Sequence, residues 1–157
     1  MYLYLMRHGE AYQKDTHPER PLNPVGRQRI HQLGRLLSRA EVPISRIYHS
    51  SVLRSQESAS IMAEYLPSVA PPEYLSCLDP ETDVKMLSYV LTKLEDHSLL
   101  LGHLPNMALL ASQLLTGNYY QSAIEFAPAS IACLSQENAL WLLNWLIDPI
   151  LLNKEEI

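Results

Sequence analysis

Near the start of the chain stands Tyr2-Leu3-Tyr4-Leu5-Met6, an apolar and aromatic run that Arg7-His8-Gly9-Glu10 cuts off. A short continuous run of this kind reads as a β-strand buried on both faces. Such a strand needs helices above and below it, which points to a layered α/β architecture with a largely parallel sheet. In open α/β sheets, ligands sit just beyond the carboxyl ends of the strands, where Arg7 and His8 would lie. Glycine at the next position lets the backbone turn sharply and lets a ligand approach the main chain.

The remaining pattern fits that frame. Residues 11–23 are polar and turn-rich, with Pro18 and Pro21 excluding a continuous helix. Asn23-Pro24 supplies an N-cap side chain followed by proline at the first helical position, and Ile30, Leu33, Leu36 and Leu37 recur at helical spacing to about Arg39. Ile44 to His49 reads as a second strand. A helix from about Val52 to Leu66 follows, with Ser50 or Ser51 as its cap. Pro67, Pro71 and Pro72 mark a loop, and Glu73 to Leu78 reads as a weaker third strand. Asp79-Pro80 opens a helix over roughly 82–95, Ser98 to Leu101 is a buried strand ending in Gly102-His103, and Pro105 to Leu115 is a further helix stopped by Thr116-Gly117-Asn118. Ser130 to Leu134 and Ala139 to Leu146 flank Ser135-Gln136-Glu137-Asn138 as a hairpin, with a helix around Trp141–Trp145 as the alternative. The Leu140–Leu152 region is apolar enough for an interface but reads better as core, and the tail 153–157 as frayed. Taken together, these elements predict one α/β domain over 1–157. It would be a three-layer α/β/α arrangement with a mostly parallel central sheet and an antiparallel edge.

A chain of 157 residues is large enough to bury a core. No apolar stretch is long enough to span a bilayer, and the N-terminal run lacks the features of a signal peptide. Cys77 and Cys133 lie far apart and out of metal-like spacing, which suggests two free thiols in a reducing cytoplasm. The net charge of −5 is lopsided: residues 1–60 carry nine basic against five acidic side chains, residues 61–157 three against twelve, and all eight arginines fall within the first 54 residues. Arg27, Arg29, Arg35 and Arg39 read as the wet face of a helix, whereas Arg7, Arg20 and Arg54 sit at element edges. A local cationic site on an acidic protein suggests a small anionic group as ligand and argues against a nucleic-acid backbone.

Three strand-to-helix junctions end in cationic or imidazole side chains: Arg7-His8, Arg54 one turn into its helix, and His103. In a parallel sheet all three fall on one edge, so they can converge. Arginine suits a tetrahedral oxyanion because its planar fork makes parallel charge-assisted bonds. An imidazole titrating near neutrality can attack as a nucleophile or donate as a cation, so His8 could accept a phosphoryl group and water could then release it. A zinc site built from His8, His49 and His103 lacks ligand spacing on any one element. His49 reads as structural, and His17 and His31 take no role.

The blocks Leu5-Met6-Arg7-His8-Gly9-Glu10-Ala11, Arg20-Pro21-Leu22-Asn23 followed by Gly26, Ser50 through Arg54 to Ser58-Ala59, and Gly102-His103-Leu104-Pro105 resemble, in order and spacing, the signature blocks of the histidine phosphatase superfamily. The resemblance covers roughly the first 110 residues. The short chain and Arg-His-Gly-Glu-Ala resemble its SixA-type phosphohistidine phosphatases. It implies the phosphoglycerate mutase-like fold, with His8 as the nucleophile that becomes phosphorylated and Gly9 orienting its ring. Arg7, Arg54 and His103 would surround the phosphoryl oxygens, Arg20 would be a further phosphate or substrate contact, and no metal or other cofactor is implied. Glu57 and Ser58 stand where the family often has glutamine and threonine, and look like supporting positions.

Only 48 residues separate Arg54 from His103, which leaves little room for the lid and catalytic acid of mutase-type relatives. A phosphate ester leaves as a poor alkoxide and needs an acid, whereas a phosphoramidate breaks to a far better imidazole leaving group. The expected substrate is therefore phosphohistidine on a protein such as a histidine-containing phosphotransfer domain, with no nucleic-acid or membrane partner. The alternatives are a small-molecule phosphomonoesterase on the same fold and a non-catalytic phosphate-sensing domain. Glu10, Glu19, Asp79, Glu81 and Asp83 are the candidate acids.

Overall fold

Tyr2–Arg7 (β1) lies inside a six-stranded sheet in the computed structural model, which describes residues 1–66 and 70–152. The other strands are Arg46–His49 (β2), Glu73–Tyr74 (β3), Ser98–Gly102 (β4), Ile131–Glu137 (β5) and Leu140–Ile147 (β6). Their order is β3-β2-β4-β1-β5-β6. The pairings β3-β2, β2-β4 and β4-β1 are parallel, and β1-β5 and β5-β6 antiparallel. The helices are Pro24–Arg39 (α1), Leu53–Tyr65 (α2), Val84–Leu91 (α3) and Asn106–Thr116 (α4).

Alternation along β1 divides the interior into two layers. Tyr4 and Met6 join Ile30, Leu33 and Leu37 of α1 and Ala59 and Met62 of α2 on one face. Leu3 and Leu5 join Val84, Leu87 and Leu91 of α3 and Met107 and Leu110 of α4 on the other. Each fully buried side chain of this size contributes about 1.5–3 kcal/mol relative to exposure, so β1 anchors both layers. The fold is thus the expected three-layer α/β/α arrangement. The two buried free thiols lie on opposite faces, Cys133 in the first layer and Cys77 in the second. Among the described residues no helix is long and apolar enough to cross a membrane.

The helix expected at Asn23-Pro24 runs from Pro24 to Arg39, with the Asn23 side chain accepting from the Gly26 amide. Its arginines divide: Arg27 and Arg39 are exposed, while Arg29 and Arg35 are half-buried, Arg35 against the Tyr65 ring. Other expectations are corrected. Neither Ser50 nor Ser51 caps α2; Val52 holds that position without a side-chain bond, because the Ser50 hydroxyl meets His103 and the Ser51 amide donates to Asp79. The third strand stops at Tyr74, and Ser76–Leu78 coils into a 3-10 turn that buries Cys77 and Leu78. Asp79 is engaged by Ser51 and Tyr74, so α3 starts later, capped by Asp83. The hairpin is real and the helical alternative at Trp141–Trp145 is not. Its turn is Asn138-Ala139, both at positive φ as a tight two-residue hairpin turn requires, and β5 runs on to Glu137. The core assignment for 140–152 fails along most of β6, which is largely exposed. Pro67 of the expected loop and the 153–157 tail lie outside the described residues.

Candidate active site

The sheet register builds the site. β1 and β4 are parallel with Arg7 opposite Gly102, so the next residue on each strand is a histidine. His8 and His103 therefore stand side by side, with ring centroids 5.0 Å apart, and the His8 amide donates to the Gly102 carbonyl at 3.1 Å. β2 lies on the far side of β4 with His49 opposite Leu101, which brings Ser50 and the first turn of α2 to the same edge.

Two contacts define His8. Its Nδ1 lies 2.7 Å from the Gly9 carbonyl, an acceptor only, so Nδ1 carries the hydrogen and Nε2 the lone pair. The Nε–H of Arg54 donates to that Nε2 at 3.2 Å. Gly9 is fixed from both sides. Its amide donates to Ser58 Oγ at 3.0 Å, Ser58 donates to the Arg54 carbonyl at 2.7 Å, and a Cβ at Gly9 would stand 2.7 Å from Ile30 Cδ1. His103 Nε2 lies 2.6 Å from the Ser50 hydroxyl, and Ser55 ties Ser50 to the sheet by accepting from its amide and donating to the Leu101 carbonyl. Ser50, Ser55 and Ser58 are fully buried.

Arg7 closes another side. One terminal nitrogen donates to the Phe126 carbonyl at 2.9 Å, and the loop ahead of β5 returns bonds to Arg7 and His8 through Ser130 and Ala129. Arg7 Nε and His103 Nδ1 are both buried without a hydrogen-bond partner in the protein. Buried orphans of this kind are costly unless a ligand or water meets them, and these two stand beside His8 and Arg54. Arg20 sits on the rim. It lies in the 11–22 loop clipped by the Ala11–Leu22 bridge and its Nε donates to the Tyr12 carbonyl; burial chiefly, and the Arg20 charge in addition, depress the pKa values of Arg7, Arg54 and His103. With Arg54 it lines a cleft of about 590 Å³ that also includes Lys14, Glu19, Ser51 and Gln56.

Burial, reinforced by the neighbouring cations, pushes the imidazoles down, His8 to about 3 and His103 to about 4; the Gly9 bond opposes this at His8, and Asp79 opposes it at His103. Both rings are thus held neutral at pH 7, which leaves the His8 Nε2 lone pair free of a proton. The sign of the linkage to stability follows. Below the ordinary 6.5 the unfolded chain takes up protons that the folded one refuses until about 4 or 3, so stability is lost as pH falls through that window. Each imidazole should cost on the order of 2 kcal/mol between pH 7 and pH 5. The measurement is the urea midpoint at the two pH values, and the His8→Asn/His103→Gln double variant should lose most of the drop.

The sequence-predicted set thus divides. His8, Gly9, Arg7, Arg54 and His103 come together, with Arg20 at the cleft. His49 bonds the Ser50 carbonyl, His31 the Tyr65 hydroxyl, and His17 stacks on Tyr12. Of the carboxylates, Glu10 is held by Asn23, Asp79 by Ser51 and Tyr74, and Asp83 by the start of α3; Glu81 is exposed, and Glu19 alone lines the cleft. Glu57 accepts from the Leu22 amide at 2.7 Å and from Arg27, so it and Ser58 support the loops that carry the site. Ser58 takes the supporting place expected of it, whereas the buried hydroxyls of Ser50 and Ser55 and the Phe126 carbonyl were not expected; Ser55 and Ser58 share a helix face one turn apart, a faint signal. Among the described residues no group of three His, Cys, Asp or Glu side chains could hold a metal.

His8, His103, Arg7 and Arg54 thus gather at one end of the sheet, an uncharged imidazole pair beside two guanidiniums, and this set has the chemistry to receive a tetrahedral oxyanion. The sequence profile of the "Histidine phosphatase superfamily (branch 1)" matches residues 3–79. The phosphohistidine phosphatase SixA of Escherichia coli (strain K12) is 26% identical over 155 residues, 95% of this chain and 94% of that one. Among solved structures, the protein histidine phosphatase SixA complexed with tungstate superposes with a TM-score of 0.85 at 26% identity, covering 98% of this chain and 100% of that one. The alpha-ribazole phosphatase from Shigella flexneri shares the fold, with a TM-score of 0.72 at 16% identity over 95% and 97% of the two chains.

Proposed function

Because this chain belongs to the histidine phosphatase superfamily, we propose that it is a phosphatase acting through phosphohistidine at His8, as one domain over 1–157, on phosphohistidine carried by another protein. The observation that carries the chemistry is the pair of contacts on His8, which leave Nε2 with its lone pair under the Arg54 guanidinium. Nε2 attacks phosphorus, and the bond from phosphorus to the substrate nitrogen breaks. The departing imidazole keeps the electron pair and takes a proton from solvent. The positive charge that develops on His8 is held by its Nδ1–H bond to Gly9. Arg7, Arg54 and His103 take the phosphoryl oxygens, and water then attacks the phosphoenzyme to release phosphate. Guanidiniums supply the charge neutralisation here, so the reaction needs no metal ion. The two buried thiols fit a reducing cytoplasm.

The similarity to SixA along nearly the whole chain supports the phosphohistidine substrate. So does the tethering of Glu10, Asp79 and Asp83, because an imidazole leaving group scarcely needs an acid. Glu19 favours a second reading: an exposed carboxylate in the cleft beside Arg20 and Arg54 could protonate the alkoxide of a small phosphate ester. The test is turnover of a phosphorylated histidine-containing phosphotransfer domain against sugar and nucleotide monophosphates, with and without chelator. Acid-quench trapping of labelled enzyme completes it. Preference for the phosphoprotein, an acid-labile label and indifference to chelator are expected. Preference for the monophosphates overturns the substrate, and absence of label overturns the phosphohistidine route.

A further inference from the structure

β6 is built unlike a protected sheet edge. Among the described residues it pairs with β5 alone and no backbone bond satisfies its outer side. Natural edges are blunted by charge, proline, shortness or a bulge. From Leu140 to Ile147 there is no charged residue and no proline over eight residues, so of these devices β6 carries only one, the bulge that the register shift at Cys133/Leu134 makes of Asn144. Leu140 is 69% exposed, Leu142 48%, Leu143 40% and Leu146 41%, and the turn that follows adds Ile150 at 62% and Leu151 at 82%. The register puts Leu140 and Leu142 on the α1–α2 side of the sheet and Leu143 and Leu146 on the α3–α4 side.

We propose that β6 pairs antiparallel with β6 of a second copy of this chain about a two-fold axis, joining the two sheets. The occupant must be an extended strand with a free edge, uncharged, and apolar toward both helix layers at once. β6 itself meets all of these requirements, and a two-fold axis makes the patch its own complement. The area is adequate. Burying side chains of this size removes on the order of 100 Å² each, so six from each copy give on the order of 1,000 Å² before the strand backbones are added. That is the scale at which a specific interface begins. Antiparallel addition also continues the β1-β5-β6 half of the sheet without a change of direction. Glu137 and Asp148 flank β6, so carboxylates of the two copies meet only at the rim, and salt should tighten the dimer where it would loosen one held by ion pairs. β6 holds none of the residues placed in the pocket, so the phosphatase reaction does not depend on the pairing.

Sedimentation velocity on the full chain tests this. Wild type should sediment at twice the 17.9 kDa chain mass at micromolar concentration, more completely as salt rises. Leu142→Lys/Leu146→Lys should sediment at one chain mass with kcat/KM unchanged, and Tyr89→Lys, which alters an exposed aromatic on α3, should still dimerise. Leu140→Glu, at the most exposed β6 position, serves if the double variant does not fold. Wild type at one chain mass up to hundreds of micromolar, open-ended assembly, or a folded β6 variant that still dimerises would each overturn the proposal.

Discussion

Replacing His8 with alanine should reduce turnover by a factor on the order of 10⁵ or more and abolish the acid-labile label, because the atom proposed to attack phosphorus is gone. The variant should still fold. Its ring makes one bond to the neighbouring Gly9 carbonyl and accepts one from Arg54, while the sheet register around it is held by backbone pairs. Phosphate or tungstate should still bind, since Arg7, Arg54 and His103 remain. Loss of turnover with binding retained separates a nucleophile from a binding residue. Equal label on the variant would remove His8 from the mechanism.

Arg54→Ala should lower kcat/KM on the order of 10³-fold, the scale seen when one donor to a developing oxyanion is lost or a phosphoryl-binding arginine withdrawn. Two features make the effect large. The guanidinium is half-buried, so its charge is poorly screened, and its Nε–H is aimed at the same Nε2 that must meet phosphorus. On the proposed route this fork would turn from His8 Nε2 to the phosphoryl oxygens. Arg54→Lys should recover little, because an ammonium has no planar fork. Full rescue by lysine would reduce Arg54 to a simple positive charge. Removing the cation should also let the His8 pKa rise, though burial, its chief cause, will hold it below the ordinary value.

That the candidate residues would gather at one sheet edge was legible in sequence for a physical reason. A buried parallel strand has one chemically open end, so Arg7-His8 and Gly102-His103, each read as strand end plus functional residue, could be placed on one edge before the strand order was known. α1 was legible to its bounds because Asn23-Pro24 and the Ile30-Leu33-Leu37 spacing are local signals. Of the buried serines only Ser58 was, through the family resemblance; Ser50 and Ser55 were not, since a buried hydroxyl is defined by a partner about fifty residues away. Ser50 looks like a helix cap until His103 is seen to occupy it. The Phe126 carbonyl is beyond sequence reading altogether, because a main-chain oxygen carries no side-chain signature. β6 was misplaced for another reason. Apolar composition reports a wish to be covered and does not say whether the cover comes from the same molecule.

The pairing of Arg7 with Gly102 has one more consequence. The backbone of His8 is tied to that of β4 by the last register pair and by its amide bond to the Gly102 carbonyl, one residue ahead of His103. The register can change only if the two strands slip, and a slip of one residue would turn every side chain of β1 toward the wrong layer. The two backbone positions are therefore locked to the integrity of the interior. Warming should leave the chemical step on a smooth course until the sheet melts, with no earlier loss of alignment.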